Sequence, residues 1–178
     1  MIQSSIFDSS KMDIRKLVNS VFIFTINRLI EIFGIIISLV GILLFIALIS
    51  YTPSDPNFIF PENTQINNLL GFQGSYISDL FFQSFGQMAY LIPITYLFTG
   101  INIFRKKEIF LLIENTFFIV IYTLIGSIFL SFFYKDALTF YINGNGGFVG
   151  NYFNQIFLKN LDSSYETTLY YILIFFII

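Results

Sequence analysis

The chain has 178 residues, of which 56% are hydrophobic and 11% charged, with a net charge of −2 and a mean hydropathy of +0.76. Soluble domains carry about 25% charge, so an ordinary soluble globule is excluded and the solvent is a bilayer. Cysteine and histidine are absent, which removes disulfides, thiolate or imidazole metal sites and every Ser-His or Cys-His nucleophile.

Residues 1–13 (MIQSSIFDSSKMD) are polar and mixed in charge and read as a disordered or frayed tail. They lack the profile of a cleavable signal peptide, so the first span is expected to stay in the mature protein. From Ile14, the apolar residues Leu17, Val18, Val21, Phe22 and Ile26 recur at helical spacing, with Arg15, Lys16, Asn19 and Arg28 between them. This stretch is either an interfacial helix leading into the first span or an extension of that span.

Residues 32–54 carry no charge and then meet Asp55. A helix crosses the roughly 30 Å hydrocarbon core in about 20 apolar residues, and this run fills that length. Pro53, Asp55 and Pro56 mark its exit, because prolines and polar side chains stop the helix where water begins. Residues 52–68 contain three prolines and no Lys or Arg and read as an extramembrane loop.

Gly71-Phe72-Gln73-Gly74 then opens a segment with apolar Ile77, Leu80, Phe81 and Phe85 on one face and Ser78, Asp79 and Gln83 elsewhere. It is expected to be a short amphipathic helix on the membrane surface. The second span follows, with a kink expected at Pro93. Arg105-Lys106-Lys107 closes it, and the third span is interrupted only by Glu114. After a second loop, Gly147-Phe148-Val149-Gly150 opens another amphipathic stretch, with Tyr152, Phe153, Ile156, Phe157 and Leu161 at helical spacing. A final apolar run begins at Thr167 and ends inside a span.

The fold class expected is thus all-α integral membrane: four transmembrane helices as two tandem hairpins, each with a short amphipathic surface helix in its outer loop. Residues 1–27 would form a cytoplasmic tail, and residues 28–178 the membrane domain. Its spans would run about 32–51, 86–104, 109–133 and 166–178, the last one truncated and marginal as given.

Two matches suggest that the hairpin is duplicated. GFQGSYISDLFF aligns with GFVGNYFNQIFL at an offset of 76 residues, and Glu31-Ile32-Phe33 with Glu108-Ile109-Phe110 at 77. The alternative is chance similarity in a Phe- and Ile-rich chain. Gly71, Gly74, Gly147 and Gly150 are the motif residues, and Gly74 and Gly150 should resist substitution if they need a positive φ.

Lys11, Arg15, Lys16, Arg28, Arg105, Lys106 and Lys107 fall on one side of the spans, and only Lys135 and Lys159 on the other. The positive-inside bias then puts the N-terminus and the 105–107 turn in the cytoplasm and both glycine-opened helices outside. Arg28, Arg105, Lys106 and Lys107 are the topology anchors. Glu31 and Glu114 border or enter spans and are read as snorkelling or pairing with Arg28 or the basic turn, because no histidine exists to complete a proton relay. Gly34 and Gly41 lie two turns apart and could form a close-packing face.

The run Arg28-Leu29-Ile30-Glu31-Ile32-Phe33-Gly34, the exit Ser50-Tyr51-Thr52-Pro53-Ser54-Asp55-Pro56, Asn68-Leu69-Leu70-Gly71-Phe72-Gln73-Gly74, Asp79-Leu80 through Phe85-Gly86, and the turn Gly146-Gly147-Phe148-Val149-Gly150 resemble, in order and spacing, the N-terminal four-span membrane domain of the FtsK/SpoIIIE DNA translocases. The resemblance implies a bacterial inner-membrane anchor at the division septum for a cytoplasmic hexameric ATPase that pumps double-stranded DNA. It implies a homo-oligomer, other division proteins and the lipid bilayer as partners. These residues hold no Walker motif and no basic face for phosphates, so no catalytic, cofactor-binding or metal residue is assigned, and neither nucleic acid nor a small-molecule substrate is expected here. The other class is a small transporter or channel subunit built from the duplicated hairpin, although the spans offer little polarity beyond Gln83, Gln87 and Asn115.

Overall fold

The computed structural model describes residues 2–57, 65–134, 143–158 and 163–177, and among these there is no strand. The lysines expected on the outer side, Lys135 and Lys159, lie outside the described residues. Helix α1 runs Ile2–Ile49 without a break. It contains no proline and its first glycine is Gly34, so nothing interrupts it between the N-terminal residues and the membrane. Residues 2–13 are therefore helical and not a frayed tail, and the stretch from Ile14 is an extension of the first helix.

Helix α2 is Gly71–Phe85, and α3 is Leu91–Lys106, with a 3₁₀ turn Gly86–Tyr90 between them. The irregularity expected at Pro93 falls ahead of it: Pro93 occupies the first turn of α3, where a missing N–H removes no helix bond. Helix α4 is Phe110–Phe133, α5 is Gly147–Phe153 followed by a π turn Asn154–Leu158, and α6 is Ser163–Ile177. Three segments, Ile14–Ile49, Gly71–Lys106 and Phe110–Phe133, are long and apolar enough to cross a membrane, and Tyr165–Ile177 is a shorter apolar helix.

α1 and α3 pack antiparallel with their backbones nearly touching. A Cβ added to Gly34 would stand 2.7 Å from the Gly100 carbonyl, and one on Gly41 would stand 2.7 Å from the Leu97 nitrogen. Ser38 donates from Oγ to the Leu97 carbonyl at 3.1 Å. Small residues at this spacing let two membrane helices gain dispersion energy in place of a hydrophobic drive that lipid does not supply. α3 is tied to α4 inside the bilayer by Asn115 Nδ2 donating to Thr99 Oγ1 at 2.8 Å. α6 docks on α4 through Tyr170, whose ring lies 5.5 Å from that of Phe129 and 5.1 Å from that of Phe133.

The interior is inverted relative to a soluble protein. The compact apolar cluster consists of Leu48, Phe82 and Ala89, while Ser75, Ser78, Asp79, Thr99, Thr123, Ser127 and Ser131 are buried and large apolar side chains face outward. α2 shows this most clearly, with Leu80 and Ile77 exposed and Ser78 and Asp79 inside. Facing lipid costs an apolar side chain nothing, so the polar groups are the ones that must be enclosed.

Candidate functional site

Most of the buried polar residues lie where the two halves of the chain meet, at the end of the bundle holding the two glycine motifs. Asp55 anchors the first loop. Its Oδ1 accepts from the Asn67 backbone N–H at 2.9 Å and from Asn67 Nδ2 at 3.0 Å, and its Oδ2 accepts from the Asn68 N–H at 2.9 Å. Asn68 in turn donates from Nδ2 to the Ala47 carbonyl at 2.9 Å and accepts the Leu70 N–H at 3.0 Å. One amide thus satisfies an unpaired carbonyl at the end of α1 and an N–H at the start of α2. Pro53 and Pro56 hold the turn, and the Pro56 carbonyl receives the Ser75 hydroxyl at 2.8 Å.

Below that loop the carboxylate of Asp79 is enclosed, with Tyr51 donating its hydroxyl to Oδ1 at 3.0 Å and Gln83 Nε2 at 3.4 Å. Gln83 leads across to the second half. Asn143 Nδ2 donates to Gln83 Oε1 at 3.1 Å and to its carbonyl at 3.2 Å. Asn145 caps the end of α4 by donating to the Tyr134 carbonyl, and its own carbonyl receives the Gln87 N–H at 2.9 Å. Ser127 reaches back to the Phe85 carbonyl at 3.1 Å, and Ser131 donates to Asn151 Oδ1 at 2.7 Å.

The halves repeat one another in backbone geometry. Gly71 has φ 66° and Gly147 has φ 64°. The residues before them, Leu70 at φ −95°, ψ 14° and Gly146 at φ −91°, ψ −2°, also agree. The matched conformations fall at the sequence offset of 76. They also move the conformational requirement: Gly71 and Gly147, not Gly74 and Gly150, adopt the left-handed region. Gly74 and Gly150 are helical, and they are small because a Cβ on Gly74 would meet the Asn68 side chain and one on Gly150 the Ser127 carbonyl.

Gly86 ends one of the runs that carry the resemblance, and the structure makes it the joint. It has φ 60°, and a Cβ there would strike the Asn145 carbonyl. A Cβ on Gly147 would stand 2.5 Å from the Gly86 nitrogen. Its place in that run, between two apolar stretches, was the available signal, but nothing in it spoke of a contact with the second half. Asn68 stands in another such run, and Asn145 lies two residues before a motif glycine.

At the opposite end, the topology anchors divide. Glu31 is nearly buried and receives Arg28 Nη1 at 2.5 Å and Lys107 Nζ at 3.2 Å. Lys107 is the left-handed C-cap of α3, with φ 60° and its N–H on the Ile103 carbonyl. Arg105 and Lys106 lie exposed in the last turn of α3, where positive charge complements the helix dipole. Among the described residues no group of three or more His, Cys, Asp or Glu could hold a metal.

The arrangement is a hydrogen-bonded cap at one end and an ion cluster at the other, with close-packed glycines between. The family described as the 4TM region of DNA translocase FtsK/SpoIIIE matches residues 27–178. The chain belongs to this family. DNA translocase FtsK of Rickettsia prowazekii (strain Madrid E) is 31% identical over 158 residues, 86% of this chain and 20% of that protein. That of Rickettsia typhi (strain ATCC VR-144 / Wilmington) is 32% identical over 133 residues, 69% of this chain and 17% of that protein. This 4TM chain therefore spans at most about a fifth of the length of these relatives. No solved structure matches.

Proposed function

We propose that this 4TM chain is the membrane anchor of a septum-located DNA translocase acting in cell division and chromosome segregation. The observation that carries the reading is the family match over residues 27–178 together with relatives that are DNA translocases. In the proposed arrangement the N-terminus and the 105–107 turn face the cytoplasm, α2 and α5 lie on the outer surface of the inner membrane, and the anchor works as a homo-oligomer, a hexamer as the family resemblance implies, beside other division proteins. The α1–α3 backbone contact suits a static anchor better than a transporter, because it leaves no room for water between those two helices.

A fluorescent fusion of the 178-residue chain, imaged in dividing bacterial cells, tests the assignment. Enrichment at the septum over the lateral membrane supports it, and uniform envelope fluorescence overturns it. Orientation is read separately with alkaline phosphatase fusions, expected active after Asn63 and Asn160 and inactive after Lys107; the reverse pattern would invert the topology.

A further inference from the structure

Glu31 and Glu114 stand in contrast. Glu31 is nearly buried and holds Arg28 and Lys107. Glu114 lies exposed on α4 and, among the described residues, makes neither a hydrogen bond nor an ion pair. Its depth follows from its neighbour: Asn115 bonds Thr99, and Thr99 precedes Lys106 in α3 by seven residues, about 10 Å. The Glu114 backbone therefore sits about 10 Å inside the level of the basic turn, behind the apolar run Ile109 to Ile113. A glutamate leans toward the N-terminus of its helix, and so toward that turn, but its short stem covers only about half of the distance.

Phe110, Glu114, Phe117 and Ile121 follow one another at intervals of four, three and four residues and fall within an arc of about 60° at 100° per residue. All four are exposed. The opposite side of α4 is buried through Ile119, Thr123, Gly126 and Ser127, so the arc is one face of the helix and not its whole circumference. α3 meets α4 through Asn115 and Thr116, off this arc, and α6 meets it nearer the other end, through Phe129 and Phe133.

An apolar face is satisfied by lipid, but an ionised carboxylate in hydrocarbon is not. What relieves it is a cation at the same depth. Lipid headgroups lie at the surface, and a span of a second copy brings no cation there, because no Lys or Arg occurs in residues 29–104, 108–134 or 160–178. A Lys or Arg inside a foreign span bears the same cost, and in a low dielectric the two charges attract strongly. We propose that the α4 face of Phe110, Glu114, Phe117 and Ile121 docks a transmembrane helix of a different membrane protein, one that carries Lys or Arg about 10 Å inside the boundary on the 105–107 side. The apolar residues supply the packing, and the ion pair sets depth and register. This contact goes beyond the anchor reading, and it is measured without a septum, so either can fail alone.

The chain has no cysteine, so Glu108→Cys, exposed in the α3–α4 turn, takes a single dye. In phosphatidylcholine vesicles, energy transfer to labelled synthetic Leu-Ala transmembrane peptides reads the pairing. A peptide with one Arg about 10 Å from its end should associate about tenfold more tightly than the same peptide with Leu or Glu there. Glu114→Gln should remove that preference and Glu114→Asp keep most of it, with SDS titration of both variants unchanged. Equal association of all three peptides overturns the proposal and leaves lipid as the cover. A preference for Arg that survives Glu114→Gln overturns it as well. So does energy transfer between two copies of the chain that Glu114→Gln abolishes, which would make a second copy the occupant.

Discussion

Asp55 and Asp79 are both enclosed carboxylates, but their surroundings ask different things of them. Asp55 uses both oxygens to receive three N–H groups, so Asp55→Ala strands the buried Asn68 N–H at a cost of about 1–3 kcal/mol and frees the two donors of exposed Asn67 to water. Asp79 receives the Tyr51 and Gln83 donors on a single oxygen, and Asp79→Asn keeps that acceptor. SDS titration of the purified chain in mild detergent should show Asp55→Ala unfolding well below wild type and Asp79→Asn within about 1 kcal/mol of it; equal losses would mean the loop staple is not what holds the cap. The motif glycines separate in the same way. Gly71 has nothing within 4 Å of an added Cβ, so Gly71→Asn, which tolerates left-handed backbone, should be nearly neutral and Gly71→Val should cost about 1–2 kcal/mol. Gly150→Val should be worse than either, since its Cβ meets the Ser127 backbone. The sequence pointed to these glycines, but a one-dimensional pattern does not distinguish a residue chosen for φ from one chosen for size.

Among the elements, α1 and α3 depend most on close approach. Gly34→Leu must push α3 away by more than a methyl group, because the atoms in the way are the Gly100 carbonyl and the Phe104 nitrogen, each 2.7 Å from the Cβ position. Overpacking of this kind costs about 1–3 kcal/mol, whereas Leu39→Ala on the exposed face of the same helix should stay within about 0.5 kcal/mol. The same SDS titration reads both, and similar losses would argue against a glycine seam. The helices themselves were legible from uncharged runs and proline punctuation, and Gly34 with Gly41 signalled the contact. What periodicity left open was which side of α2 is covered: hydrophobic patterning finds two faces, and the surrounding solvent decides which turns inward. The π turn at Asn154–Leu158 likewise has no breaker residue to announce it.

For the whole molecule, the link between halves at the outer cap combines the side-chain bonds of Asn143 and Ser127 with close approach of peptide groups at Gly86, Asn145 and Gly147. Gly86→Val should part α2 from α5 at the outer cap while leaving α1, α3 and α4 packed, and protease added to proteoliposomes from the outer side should then cut near residue 145 several times faster than in wild type; unchanged cutting would show that side chains alone hold the joint. The pair of GFxG motifs was visible in the sequence, but the joint was not, because Gly86 lies outside both motifs. A contact made from main-chain atoms is spelled the same way whatever side chains surround it. Residues facing lipid can thus drift with the composition of the host membrane, toward the 25 phenylalanines of this chain or away from them, and inheritance need preserve only a few places where there is no room for a side chain.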